Sequence, residues 1–217
     1  MNPATNLIDT VTAILLITNL MLLGSGYLTS CIRYAALQGL AVGLLPLLLH
    51  AQGSWGRAAA LAAAGMILKG VVFPIVLTRI LRDINVRREV EPFVGYGTSV
   101  MAGVGMLAFS MWLTRRLSLS AVPESALIMP AGFATVLIGL FLIVSRRKAV
   151  TQVLGYIVME NGIYAFGTAL AGGVPLLVEL GVLLDAFVAV FIMSIAIYHI
   201  SREFDHIDVD QLDRLQG

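Results

Sequence analysis

Residues 58–81 read AAALAAAGMILKGVVFPIVLTRIL, apolar or small throughout except for Lys69 near the middle and Thr78 and Arg79 close to the end. About 20 mostly apolar residues carry a helix across the hydrocarbon core of a bilayer. The stretch therefore reads as a membrane-spanning helix with its lysine at mid-depth and its arginine at an interface. Outward from it, further apolar runs of similar length cover about 7–29, 34–50, 93–114, 125–145, 149–171 and 174–200. They predict an all-α, polytopic membrane protein: one bundle of about seven transmembrane helices over 1–200, then a short acidic tail at 201–217. The first run does not read as a cleavable signal peptide, because residues 1–6 hold no Lys or Arg and no small-residue cleavage site follows. It is expected to stay as the first membrane helix.

Composition points the same way. Only 12% of the 217 residues are charged, against roughly 25% in an ordinary soluble domain. A net charge of +1 offers no surface for nucleic acid, and one cysteine, Cys31, supplies neither a disulfide framework nor a thiolate metal site. His50 and His199 fall at opposite ends of the expected bundle, so they cannot be the two axial ligands of one haem, and His206 falls in the tail, where a solvated side chain is expected. No cofactor is expected within this chain.

Loop charges test the helix count independently, because short cytoplasmic loops collect Lys and Arg. With seven helices, one side holds only Arg57, Arg115 and Arg116, while the other holds Arg33, Arg79, Arg82, Arg87, Arg88, Arg146, Arg147, Lys148, Arg202 and Arg214. The asymmetry predicts an outside N-terminus and a cytoplasmic C-terminus.

Lys69 belongs to neither side. It joins Glu160 in the sixth expected helix and Glu179 and Asp185 in the seventh as ionisable groups inside the membrane. Unpaired and ionised, these four would oppose insertion by roughly 10–14 kcal/mol at about 2.5–3.5 kcal/mol each. A chain that only had to span the bilayer would not carry them. A structural ion pair between Lys69 and one carboxylate would use two of the four; the default reading of intramembrane charges is an ion or proton path. Pro74 leaves the Gly70 carbonyl beside the lysine without its helical donor, and Pro46 and Pro130 are expected to kink the second and fifth helices. Asn161 can donate a hydrogen bond to Glu160 or bridge helices, and Gly162, Gly167, Gly172, Gly173 and Gly181 let helices approach closely. Glu179 and Asp185 are about 9 Å apart along a helix and about 120° apart around it, so they read as successive stations and not as one dyad. A faint echo, Ser30 to Gln38 against Ser145 to Gln152, suggests parallel halves, with Arg33 and Gln38 matching Arg147 and Gln152 at an offset of 114 residues.

Gly155-Tyr156-Ile157-Val158-Met159-Glu160-Asn161-Gly162, with Val178-Glu179-Leu180-Gly181 and Asp185-Ala186-Phe187, resembles component E of the formate-hydrogenlyase type of membrane hydrogenase. The resemblance takes in the length, the helix count and Lys69-Gly70-Val71-Val72-Phe73-Pro74. From about Gly139 the chain also resembles subunit K of complex I, the proton-pumping NADH:quinone oxidoreductase, through Arg146 and Arg147, the pattern Gly155, Met159, Asn161, the acidic Asp185 and the acidic tail. Subunit K carries its first membrane glutamate at the position of Ile157; Glu160 lies three residues on, about 4.5 Å and −60° away on a helix, so its acid group can reach similar space from the next turn.

The resemblance implies a non-redox membrane-arm subunit of an oxidoreductase complex in the prokaryotic cytoplasmic membrane. Its partners would be antiporter-like membrane subunits and a peripheral hydrogenase module holding a nickel–iron centre and iron–sulfur clusters. Protons, or Na+, would pass among Lys69, Glu160, Glu179 and Asp185. A self-contained secondary transporter and a purely structural anchor are the alternatives, and a retinal protein is disfavoured because the intramembrane lysine lies in the third helix and not the last.

In the tail, Phe204, Ile207, Val209, Leu212 and Leu215 alternate with five acidic residues, which disfavours an anionic leaflet and suits a neighbouring subunit. Deleting residues 203–217 is expected to reduce co-purification with partner subunits; an unchanged complex would contradict docking by the tail.

Overall fold

The computed structural model describes residues 3–49, 55–83, 93–116 and 127–171. The seventh expected span, Glu179, Asp185 and the tail lie outside the described residues. Among those described there is no strand. The elements are α1 (Pro3–Gly24), α2 (Leu28–Gly43), α3 (Leu45–Leu49), α4 (Trp55–Ile67), a π-helical turn (Leu68–Val72), α5 (Phe73–Asp83), α6 (Tyr96–Arg116), α7 (Ile128–Ser145) and α8 (Ala149–Ala171).

They account for six of the expected spans, with α2 and α3 sharing one and α4, the π turn and α5 another. The boundary between the first two differs from expectation. Ser30 and Cys31 donate their backbone N–H groups to the Tyr27 carbonyl at 3.0 and 3.1 Å, so the polar residues expected to form a turn are the first turn of α2. The proline expectations shift similarly. Pro130 is the third residue of α7 and Pro46 the second of α3, positions where a helix has no internal partner for the missing N–H. Pro130 does not kink α7 from within, whereas the second expected span is interrupted at Leu44, two residues before Pro46. Helix ends also revise the echo between the halves: α1 ends at Gly24 and α7 at Ser145, α2 opens at Leu28 and α8 at Ala149, so the two hairpins correspond at an offset of 121 residues and not 114.

Among the described residues, four helical segments are long and apolar enough to cross a membrane: Thr5–Gly24, Ala62–Arg82, Tyr96–Arg116 and Ile128–Ser145. The outer surface suits that setting. Ile67, Val71 and Ile75 form an exposed row one helical turn apart, and Met101, Val104, Phe109 and Trp112 are exposed on α6. Water would not tolerate so much continuous apolar surface, whereas lipid or neighbouring helices would. Small residues of α6 face inward instead: Ser99, Gly103 and Ser110 are buried, which permits close packing on α1 and α7.

The tightest helix pair is α7 with α8, and glycine makes it so. A Cβ on Gly139 would strike the Met159 backbone, and one on Gly155 would lie 2.9 Å from the Gly139 carbonyl oxygen. Two turns away the pattern repeats: a Cβ on Gly132 would lie 2.6 Å from the Phe166 backbone nitrogen and one on Gly162 would lie 2.9 Å from the Gly132 carbonyl oxygen. Seven-residue spacing keeps each helix's two glycines on one face. The pair therefore sets the rotation and depth of α8, including Glu160 and Asn161.

Arg146 locks one end of the bundle. Its guanidinium donates to the Leu23 carbonyl at 3.0 Å and the Val94 carbonyl at 3.5 Å and lies 4.8 Å from the Tyr96 ring centre. Leu23 belongs to the last turn of α1, whose carbonyls lack helical partners and favour a cation. Counted from sequence among the basic residues of the cytoplasmic loops, Arg146 is buried, and it brings the first, third and fifth connections together.

Adding a Cβ at Gly139 or Gly162 forces backbone apart, so Gly139→Ala and Gly162→Ala are each expected to cost about 1–3 kcal/mol. Gly97→Ala and Gly105→Ala, where nothing lies within 4 Å of the new atom, serve as controls. Thermal unfolding in detergent should lower the first two selectively; four equal melting temperatures would contradict glycine-set packing.

Candidate functional site: a buried ion pair beside an amide network

Lys69 is the second residue of the π turn, and the turn itself follows from sequence. Pro74 has no N–H to give the Gly70 carbonyl, and its ring crowds the preceding turn. The backbone responds by widening, with the Phe73 N–H reaching back five residues to the Leu68 carbonyl. Such wide turns are rare and concentrate at functional sites. The widened turn holds Gly70, whose carbonyl Pro74 leaves without its helical donor.

The Lys69 side chain is buried and its Nζ stands 2.6 Å from Glu160 Oε1 on α8. Only 8% of the lysine side chain and 1% of the glutamate side chain remain accessible. Tyr164, one turn beyond Glu160 and on the same face, places its ring centre 5.7 Å from the ammonium, within cation–π range. On the other side, Gly39 of α2 makes room: a Cβ there would lie 2.7 Å from Lys69 Cβ. Gly70 is likewise covered by the Leu40 side chain. Two charges in this setting are tolerable because they neutralise each other, and removing one leaves the other with its full desolvation cost.

A chain of uncharged polar side chains starts at the residue next to Glu160. Asn161 Nδ2 donates to Gln38 Oε1 at 3.3 Å; Gln38 Nε2 donates to Asn19 Oδ1 at 2.9 Å and Thr18 Oγ1 at 3.2 Å. Asn19 Nδ2 donates to Thr135 Oγ1 at 2.8 Å, and the Thr135 hydroxyl donates to the Ala131 carbonyl at 2.7 Å. All five side chains are buried, and together they stitch α8, α2, α1 and α7. Asn161 Oδ1 accepts no hydrogen bond among the described residues. Interhelical bonds of this kind contribute about 0.6 kcal/mol on average and at most about 1.7 kcal/mol.

Of the residues singled out in the sequence, the structure thus brings Lys69, Glu160, Asn161 and Pro74 to one place, while Glu179 and Asp185 fall outside the described residues. Asn161 bridges to Gln38. Sequence reasoning missed Gln38, Asn19, Thr18, Thr135 and Tyr164. A signal was present: Gln38 and Asn19 are amides inside the apolar runs 34–50 and 7–29, and the test applied to charges, why a polar group is kept in a spanning segment, applies to them too. Among the described residues no three His, Cys, Asp or Glu side chains come together as a metal site.

Comparison with known proteins bears on this site directly. Residues 127–217 match the family model of NADH-ubiquinone/plastoquinone oxidoreductase chain 4L, from the turn before α7 through all of α8, somewhat earlier than the Gly139 start read from motifs. Over 211 residues the chain is 30% identical to an uncharacterized protein of Mycobacterium tuberculosis, covering 97% of this chain and 96% of that one. It is 28% identical over 158 residues to hydrogenase-4 component E of Escherichia coli strain K12, covering 72% of each, and equally to that of Shigella flexneri. No solved structure matches.

Breaking the pair from one side is expected to be costly: Lys69→Met or Glu160→Leu alone should destabilise by about 3 kcal/mol or more. The double variant should lose clearly less than the two single losses combined. A double-mutant cycle on thermal unfolding in detergent reads the coupling, and strict additivity would contradict a direct ion pair.

Proposed function

We propose, from the premise that this chain belongs to the component E family of membrane hydrogenases and carries a chain 4L-type C-terminal part, that its Lys69–Glu160 pair is a station for translocated protons. The chain is a multi-pass, membrane-arm subunit of a respiratory-type oxidoreductase complex. Within that role we assign it seven helices over 1–200 with the N-terminus outside, a cytoplasmic tail at 201–217, and a place in the prokaryotic cytoplasmic membrane. It sits between antiporter-like subunits and a peripheral hydrogenase module whose nickel–iron centre and iron–sulfur clusters carry the redox chemistry. No redox step falls to this chain.

The observation that carries the proposal is the 2.6 Å contact between two ionisable groups buried at a wide helical turn. At that separation one proton can pass from the ammonium to the carboxylate, which turns an ion pair into a neutral amine and a neutral acid with no change in net charge. Both forms are admissible in a low-dielectric interior, whereas either group ionised alone is not. A proton arriving from one side and leaving to the other therefore passes through states of similar cost. Lys69 and Glu160 are the first two stations, and Asp185 and Glu179 continue the path, with Na+ as the alternative ion. Redox turnover elsewhere in the complex drives transfer by changing hydration and helix positions around the pair.

A second reading, a static ion pair that merely joins two helices, draws on the same direct contact. Glu160→Gln and Asp185→Asn in the assembled complex separate the two. Redox turnover is expected to continue while proton movement falls by about a hundredfold, the lower end of what one positioned acid–base group contributes. Normal pumping by both variants, measured as acidification or alkalinisation in vesicles alongside redox rate, makes the residues structural.

A further inference from the structure

We propose that Gln38 is a positioning residue for the Lys69–Glu160 pair, holding it from α2 through an uncharged hydrogen-bonded frame. The inference rests on the proton-station reading above and adds to it a residue that neither titrates nor touches the transferred proton.

Three consecutive residues of α2 meet Lys69 or the chain neighbours of the pair, Gly70 and Asn161. Gln38 accepts the Asn161 Nδ2 hydrogen bond at 3.3 Å, and Asn161 shares the α8 backbone with Glu160. Gly39 lies against Lys69, so close that a Cβ would come within 2.7 Å of Lys69 Cβ, and Leu40 covers Gly70. The Lys69 atom concerned is the root of its side chain, and displacing it moves the π turn itself. Hence any shift of α2 acts on the acid through Asn161 and on the lysine through its Cβ at the same time.

What fixes α2 is the rest of the frame. Gln38 Nε2 holds Asn19 and Thr18 of α1, and Asn19 holds Thr135 of α7. If Gln38 served only to glue α2 to α1, those two bonds would suffice, and the third, to the neighbour of Glu160, would be superfluous. Amides and hydroxyls keep their hydrogen-bonding pattern whatever the protonation of the pair beside them, because none of them ionises at physiological pH. A frame of this kind keeps donor and acceptor at transfer distance in both the ionised and the neutral form, which is what proton exchange needs and a static clip does not.

The test uses the native complex recovered with the full chain and reconstituted in vesicles. Gln38→Met keeps volume and removes the amide. Gly39→Ala leaves the amide bonds in place and pushes Lys69 from the other side. Glu160→Gln serves as reference. Protons moved per electron transferred are expected to fall about fivefold in Gln38→Met, the size of effect of the one buried hydrogen bond to Asn161, and to fall in Gly39→Ala through the displaced Lys69. The carboxyl band that Glu160→Gln removes from the redox-difference infrared spectrum is expected to be displaced in both. Should Gln38→Met fail to assemble, Gly39→Ala decides. If Glu160→Gln abolishes proton movement while Gln38→Met and Gly39→Ala keep the parental ratio, the positioning role is overturned and the station reading stands. A lowered ratio with an unmoved band marks a packing defect and overturns it as well. If Glu160→Gln itself moves protons normally, the station reading falls and this inference falls with it.

Discussion

A charge in hydrocarbon has to be neutralised, and the placement of helices around Lys69 follows from that requirement. The lysine sits in a spanning segment whose two flanks are apolar, so its counter-charge must come from elsewhere in the chain; it comes from Glu160 on α8 at 2.6 Å. For the two to meet, α8 must present Glu160 at one depth and rotation. The glycine contacts with α7 set both, because Gly132, Gly139, Gly155 and Gly162 bring the two backbones together in one register. The π turn answers from the other side by aiming Lys69 inward next to Pro74. An ordinary side chain at any of those glycines would push α7 and α8 apart and work against the contact, and a pair that does come apart leaves each charge with a desolvation cost of several kcal/mol.

Alongside the charged contact runs a neutral one. The amides of Asn161, Gln38 and Asn19 and the hydroxyls of Thr18 and Thr135 join four helices at the level of the pair. Their bonds are individually weak in a membrane, yet they are directional, and α2 is placed by them on two sides at once. Arg146 does comparable work at one end of the bundle, where it satisfies carbonyls at the end of α1 and before α6. Polar groups in this protein thus appear where helices must be held in a particular relation, while the outward faces of α4, α5 and α6 are left apolar.

Much of the architecture was legible in the sequence, because hydropathy over 20-residue windows is the physics of insertion itself. The run 149–171 coincides with α8, and 58–81 lies within the segment from Trp55 to Asp83. Ser30 and Cys31 misled because a polar first turn of a helix and a loop have the same composition. Pro130 misled because the position of a proline within a helix, and not its presence, decides whether it kinks. Lys69 and Glu160 stood out as charges out of place, yet their partnership was one of several possible, since a linear sequence does not say which helices are neighbours. Gln38 entered only as part of the echo between the halves, because an average over an apolar run conceals one amide. Arg146 was counted among the cytoplasmic loop charges because the carbonyls that bind it come from residues distant in sequence.

The kinship with component E and chain 4L places the chain in a membrane arm, and the buried pair gives that placement a mechanism. Its central claim is that Lys69 and Glu160 exchange protons and do not merely hold two helices together. Exchanging the two residues in one variant, Lys69→Glu with Glu160→Lys, tests this most directly, because the ion pair survives while the acid and the base trade positions along the path. The account predicts a complex that assembles and turns over but no longer moves protons at the parental ratio to electrons. Parental proton movement in the exchanged variant would contradict it and leave the pair a structural clip.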